Sequence, residues 1–387
     1  MFSFQFYMPT KVLYGAGQLK NLHKEQLPGK KAIVVTSNGS STKKYGYLDA
    51  LTNELTQAGV EYVVFDEVRA NPTRENCMDG AAKAKAEGCD FVVGLGGGSV
   101  LDASKMIAGM MTNEGDLWDY SLSAQGGKKW FPNNAAPFVA VSMSAGTGSE
   151  MDFGGVVSDD ARGEKTALFH PSMQPVISVV DSDLTLSVPA HFTAFQGIDA
   201  FFHAAETMLN KNLHPMAEMF ALKTIELVAA NLPKAYADGQ DREARAAVHL
   251  ASSLAGYYMM ITSEHAMEHA MGSHHENLPH GAGLSMIAPA YFGFFADRQA
   301  AEEPMKKMAR AMGVENPQSG KDFITALNAL LKKINCDELK MSDYGITAEE
   351  VKQWPEALHK VLGGDITADP LPLSDADYLA IFEASYK

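Results

Sequence analysis

Five short runs of apolar, largely β-branched residues thread the first half of the chain: 32–36, 62–65, 91–95, 138–141 and 176–180. Each run is continuous rather than alternating, which is the texture of a strand covered on both faces. Helix-forming stretches such as 78–87 and 100–111 lie between them. Strands interleaved with helices imply a parallel sheet with crossover helices, which is a narrow set of folds. After about Pro189 the texture changes. The stretches 193–210, 215–230, 241–260 and 304–312 are rich in Ala, Leu, Met, Glu and Lys and read as helices. The boundary falls near 184–190. It gives a Rossmann-like α/β domain over 1–186 and an all-helical domain over 187–387. No repeat, low-complexity tract or flexible linker separates the halves, so they are expected to pack directly, with the groove between them as the default site.

A chain of 387 residues suits two or three domains and can bury a large core without staples. Its net charge of −15 excludes the basic footprint of a nucleic-acid-binding protein. Cys77, Cys89 and Cys336 are far apart and odd in number, which argues against a disulfide framework and for a reducing compartment. The first residues lack a basic, then apolar, secretory pattern, and no run of about 18 apolar residues occurs. The expectation is a cytoplasmic protein with no membrane partner.

Gly94-Leu95-Gly96-Gly97-Gly98-Ser99 follows one expected strand and opens an expected helix. Such glycines let backbone approach a ligand, and the helix start offers N–H groups and a positive dipole end to a phosphate. The spacing is not G-x-G-x-x-G, so a plain strand-to-helix turn is an equal reading. Asp102 and Lys105 follow within the helix. A second element, residues 142–150, also follows a strand; its Ser144 and Thr147 suit a ribose or phosphate, or simply a capped polar loop.

Five of the twelve histidines fall between residues 265 and 280. Asp199 and His203 are i and i+4 on an expected helix and face one way, as do His265 and His269. His280 is expected in a loop, where Gly281 permits a tight bend. Imidazole plus carboxylate suits iron or zinc better than calcium or magnesium. A buried hydrogen-bonding network is the alternative, and His274 and His275 read as surface residues.

Taken together, these segments resemble the iron-containing alcohol dehydrogenase family, which includes lactaldehyde reductase and the butanol dehydrogenases. The resemblance spans nearly the whole chain. It begins at residues 8–17, runs through Gly96-Gly97-Gly98-Ser99 with Asp102 and Lys105, and continues through residues 145–150. It then takes in Gly197-Ile198-Asp199-Ala200 with His203 and Glu206, and closes on His265, His269 and Pro279-His280-Gly281. It implies a dehydroquinate synthase-like architecture, a dinucleotide-binding domain followed by a helical one with a metal in the cleft. It implies Asp199, His203, His265 and His280 as metal ligands, with His269 beside the metal. It also implies Gly97, Gly98 and Ser99 at the pyrophosphate, Ser144 and Thr147 in a second nucleotide loop, and Lys165 near the cofactor. One departure is Met143-Ser144, where the family often has Thr-Thr.

The activity expected on this resemblance is hydride transfer between NAD(P)(H) and a small primary alcohol or aldehyde. Iron(II) accepts five or six ligands and suits four protein donors; zinc is the alternative. His269 is the candidate proton relay. The residues Asn38, Gly39 and Ser40, with Lys43 and Lys44 after them, carry no carboxylate to repel a 2′-phosphate, so NADP is favoured over NAD. A homodimer or larger homo-oligomer is expected. The rival on the same fold is a polyol or polyol-phosphate dehydrogenase or a dehydroquinate synthase-like lyase. It is disfavoured because residues 265–280 contain no Lys or Arg.

Overall fold

The computed structural model describes residues 3–273, 275, 277–361 and 368–387. They form two compact units, residues 6–187, and residues 188–387 with the start of the chain.

The first unit contains strands β1 (Lys11–Tyr14), β2 (Lys31–Ser37), β3 (Glu61–Val68), β4 (Phe91–Gly96), β5 (Phe138–Ser142), β6 (Gly154–Asp159), β7 (Glu164–Phe169) and β8 (Ile177–Val180). Its helices are α1 (Ser41–Lys44), α2 (Tyr47–Gln57), α3 (Arg74–Ala86) and α4 (Gly98–Thr112). Six strands make one parallel sheet in the order β1-β8-β5-β4-β2-β3. Alternate residues of β2 serve opposite faces, as period two requires. Ala32 and Val34 pack with Leu48, Leu51 and Leu55 of α2. Ile33 and Val35 pack with Cys77 and Ala81 of α3 and Leu101 and Ile107 of α4. Both faces are therefore covered, and each fully buried Val or Leu contributes about 1.5–3 kcal/mol. Strands β6 and β7 form a separate antiparallel hairpin.

The second unit contains α5 (Ala190–Leu209), α6 (Pro215–Ala237), α7 (Arg242–Tyr257), α8 (Ser263–Gly272), α9 (His280–Asp297), α10 (Glu302–Ala311), α11 (Gly320–Lys333), α12 (Ala348–Val351), α13 (Trp354–Val361) and α14 (Asp375–Ser385). Phe201, Phe202, Phe292 and Phe323 are buried together, with Phe201 and Phe323 stacked at 6.2 Å. No described helix is long and apolar enough to cross a membrane.

The structure corrects one local expectation. His280 is not in a loop but is the first residue of α9, entered from Pro279 with φ −65°. Proline's fixed φ suits a helix entrance as readily as a turn. Gly281 serves close approach rather than a bend: a Cβ there would lie 2.0 Å from the Phe195 carbonyl oxygen of α5. His274 lies outside the described residues, and His275 is half-buried with Nε2 3.5 Å from Glu350 Oε1.

Candidate functional site

Helix α5 carries Asp199, His203 and Glu206 at i, i+4 and i+7, one buried stripe. Helix α8 carries His265, Glu268 and His269, and α9 opens on His280. The three elements bring three imidazoles onto one carboxylate oxygen. Asp199 Oδ1 lies 3.6 Å from His203 Nε2, 3.4 Å from His265 Nε2 and 3.6 Å from His280 Nε2. Asp199, His203 and His265 each offer a donor atom within 4.8 Å of the other two. The His203 and His265 rings stack with centroids 4.4 Å apart. His269 stands instead with Glu268 and His280, its ring 5.4 Å from that of His280.

The charges around this point are unusual. Burial opposes ionisation of Asp199, yet the imidazoles around it hold its carboxyl well below the usual carboxylate range. Burial pushes His203 down to about 4. Burial also works against charge on His265, but the Glu206 and Asp199 carboxylates reverse this and hold its pKa well above the usual imidazole value. Behind the cluster, Glu206 holds His265 Nδ1 and Glu268 holds His280 Nδ1. Glu264 is buried, and the proximity of Glu206 adds to burial in pushing its carboxyl well above the usual range. These three glutamates had no role in the sequence reading. Glu206 has a weak signal, its i+7 spacing from Asp199; the other two acquire meaning only when α8 meets α5 and α9.

In the first unit, β4 and β5 pair at Gly96 and Ser142, which sets the two glycine-rich turns side by side. Gly97 is extended and α4 starts at Gly98 with no side-chain cap; the Val100 and Leu101 N–H groups go to the Gly97 carbonyl, which leaves those of Gly98 and Ser99 to other acceptors. The turns touch. A Cβ on Gly97 would lie 3.3 Å from Ser144 Oγ, and one on Gly98 would lie 2.5 Å from Thr147 Cγ2. Ser144 Oγ is buried with no hydrogen-bond partner among the described residues.

The other expected cofactor residues are placed differently. Both carboxylate oxygens of Asp102 are engaged within the chain, accepting from Ser149 Oγ at 2.6 Å and Val156 N at 2.9 Å. Lys105 Nζ, fully buried, donates to Ser149 Oγ, Asp152 and the Gly154 carbonyl. Lys165, on β7, donates to Asn71 Oδ1 at 3.3 Å. Asn38, Gly39 and Ser40 are exposed at the end of β2, where Asn38 N donates to the Val68 carbonyl. Lys43 just beyond them is paired with Asp66 of β3.

A model of the iron-containing alcohol dehydrogenases matches residues 9–182, and one of the C-terminal region of the Fe-containing alcohol dehydrogenase family matches residues 193–386. The chain belongs to this family. As an iron-containing alcohol dehydrogenase it is an oxidoreductase of alcohols and aldehydes. It is 30% identical to the sulfoacetaldehyde reductase of Bilophila wadsworthia over 100% of both chains. It is 36% identical to the choline dehydrogenase of Bacillus subtilis over 69% of this chain and 67% of that one. An archaeal halo-thermophilic alcohol dehydrogenase from a Red Sea brine pool superposes with a TM-score of 0.93 at 29% identity, covering 100% of this chain and 99% of the other.

Proposed function

We propose that Asp199, His203, His265 and His280 hold one divalent iron, and that Gly97, Gly98, Ser99, Ser144 and Thr147 hold the diphosphate and adjoining ribose of a nicotinamide dinucleotide. Together they serve hydride transfer between NAD(P)(H) and a small primary alcohol or aldehyde. The observation that carries this reading is the convergence of three imidazole Nε2 atoms on Asp199 Oδ1 at 3.4–3.6 Å. Donors about 2.1 Å from a common cation stand roughly 3.4 Å apart when arranged tetrahedrally. Charge points the same way, since the buried cluster favours positive charge at its centre. Carboxylate and imidazole donors suit divalent iron, and zinc is the rival ion.

Iron there supplies Lewis-acid polarisation of the substrate oxygen. The chain's own part is to orient and to exclude water. His269, next to His280, is the side chain we assign to hold or move the hydroxyl proton. The glycines at 97 and 98 leave room that a Cβ would fill, and the unpartnered Ser144 hydroxyl is a ready donor to a phosphate or ribose oxygen. Asp102 acts at one remove by tying α4 to residues 149–156. Lys165, through Asn71, lines the same unit's cofactor region. We read residues 6–187 as the nucleotide domain and 188–387 as the metal domain of a cytoplasmic homo-oligomer. The unpaired Cys77, Cys89 and Cys336 are consistent with a reducing compartment.

For the nucleotide we favour NADP(H), because Asn38, Gly39 and Ser40 present no carboxylate at the end of β2. NAD(H) is favoured by one observation, the Lys43–Asp66 pair, which takes one cation of that loop out of play. The deciding experiment strips the metal with a chelator, restores Fe(II) or Zn(II), and follows NADPH and NADH oxidation with butanal. The expected result is activity restored by Fe(II), with a lower KM for NADPH than for NADH. Absence of turnover with both metals and both nucleotides defeats the reading, and a lower KM for NADH reverses the cofactor assignment.

A further inference from the structure

The metal reading above is the ground for this inference. Two of the three imidazoles on Asp199 are gripped from behind by acids that are themselves buried, Glu206 at 0% and Glu268 at 1% exposure. Glu206 Oε1 meets His265 Nδ1, and Glu268 Oε2 meets His280 Nδ1. Among the described residues the other hydrogen bonds to the Glu206 side chain also bring donors to it: the Thr262 backbone N–H and hydroxyl both point at Oε2. Thr262 is fixed in turn, because its hydroxyl, with its own proton on Glu206, can accept from Tyr291 Oη at 2.7 Å. Gly283 keeps α9 close to the second acid, since a Cβ there would lie 3.0 Å from Glu268 Oε1. His203 differs. Its Nδ1 is buried with no hydrogen-bond partner among the described residues.

A neutral imidazole carries one proton on one of its two nitrogens, and an ionised carboxylate can only accept. A carboxylate behind Nδ1 therefore draws the proton there and leaves the Nε2 lone pair facing Asp199. We propose that Glu206 and Glu268 are positioning residues that fix His265 and His280 in the metal-binding tautomer, and that at 206 even the isosteric amide fails. A glutamine at 206 must place its NH2 toward either Thr262 or His265. Toward Thr262 it meets a backbone N–H, donor against donor. Toward His265 it makes Nδ1 an acceptor, and the ring proton moves to Nε2, the atom the metal needs. A glutamine at 268 can instead turn its carbonyl toward His280 Nδ1 and keep the tautomer.

The test is Glu206→Gln beside Glu268→Gln in the full-length protein. Affinity for Zn(II) is measured by competition with a chromophoric chelator. The ring tautomer of His265 is read from the 15N shifts of histidine-labelled, Zn(II)-saturated protein. Glu206→Gln is expected to lose about 10–100-fold in affinity and to show perturbed His265 ring nitrogens, whereas Glu268→Gln loses less. Wild-type affinity and unchanged ring nitrogens in Glu206→Gln overturn the inference and leave the metal reading standing. Wild-type protein that binds no metal overturns the metal reading itself. If Glu206→Gln does not fold by far-UV circular dichroism, Glu268→Ala decides in its place. It removes the acceptor behind His280, so a loss of about tenfold supports the inference and wild-type affinity overturns it.

Discussion

Asp199 shows how much a single side chain constrains the chemistry around it. A buried carboxylate costs several kcal/mol unless opposite charge compensates it. Among the described residues its ion-pair partners are imidazoles, with no Lys or Arg. His265 can supply one positive charge, but it faces two carboxylates, Asp199 and Glu206, so the cluster stays short of positive charge and suits a cation at its centre. Gly98 constrains its own unit through space alone. A Cβ there would overlap Thr147 Cγ2 at 2.5 Å, and overpacking of this kind costs typically about 1–3 kcal/mol. Gly98→Ala is expected to raise the nucleotide KM by roughly tenfold, one decade per 1.4 kcal/mol, with the circular dichroism unchanged. Adding Thr147→Ser, which deletes that methyl, should recover part of the loss. Steady-state kinetics with varied NADPH check both. An unaltered KM in the single variant would show that the two turns do not jointly bind the nucleotide.

Among the elements, α4 is anchored by two buried charges. Asp102 and Lys105 in its second turn grip residues 149–156, so the second glycine-rich turn is held to the helix that the first one opens. Burial pushes the Asp102 carboxyl up to about 6, against roughly 3.9 in an unfolded chain. Between those values the folded state holds the proton more tightly, so this residue's contribution to stability is full below about pH 4 and lost as pH rises through 6. Asn can still accept from Val156 N and donate to Ser149 Oγ. Urea midpoints measured from pH 4 to 7 should therefore fall more steeply for the wild type than for Asp102→Asn. Parallel slopes would remove Asp102 from this role. The same elements show what was legible in the sequence. β2, β4 and β5 announced themselves because strands covered on both faces are apolar throughout. The i, i+4 pair on α5 was equally plain. β1 escaped notice because it is a four-residue edge strand with only Leu13 buried. The β6–β7 hairpin escaped because it opens on glycines and buries only every second residue. At α9, Pro and Gly read as turn signals, while their actual work, entering a helix and clearing the Phe195 carbonyl, depends on a partner helix whose Phe195 lies 86 residues before Gly281. The roles of Glu206, named in the sequence only as part of a motif, and of Glu268 were hidden for the same reason, since a carboxylate gains a role only from the imidazole that folding sets against it.

For the whole molecule, the proposed ligands divide between the two units, nucleotide in residues 6–187 and metal in residues 188–387. A ligand that binds only the folded form stabilises it by about 2.7 kcal/mol at a hundred times its Kd. In a unit of roughly 200 residues, each kcal/mol moves the midpoint by about 2–4 °C, so either ligand should shift the unit it binds by roughly 5–10 °C. Calorimetry of the metal-stripped protein is expected to show two transitions. Fe(II), added under anaerobic conditions, should raise one of them, and NADPH the other. Asp199→Asn, which removes the central carboxylate's charge, should abolish the Fe(II) shift and spare the NADPH shift. Gly98→Ala should spare the Fe(II) shift and roughly halve the NADPH shift, since a tenfold weaker Kd leaves about 1.4 kcal/mol at the same concentration. A single transition that moves with either ligand would mean that the two units unfold as one cooperative block. A full metal shift that survives Asp199→Asn would remove Asp199 from the ligand set and leave the three imidazoles to hold the ion.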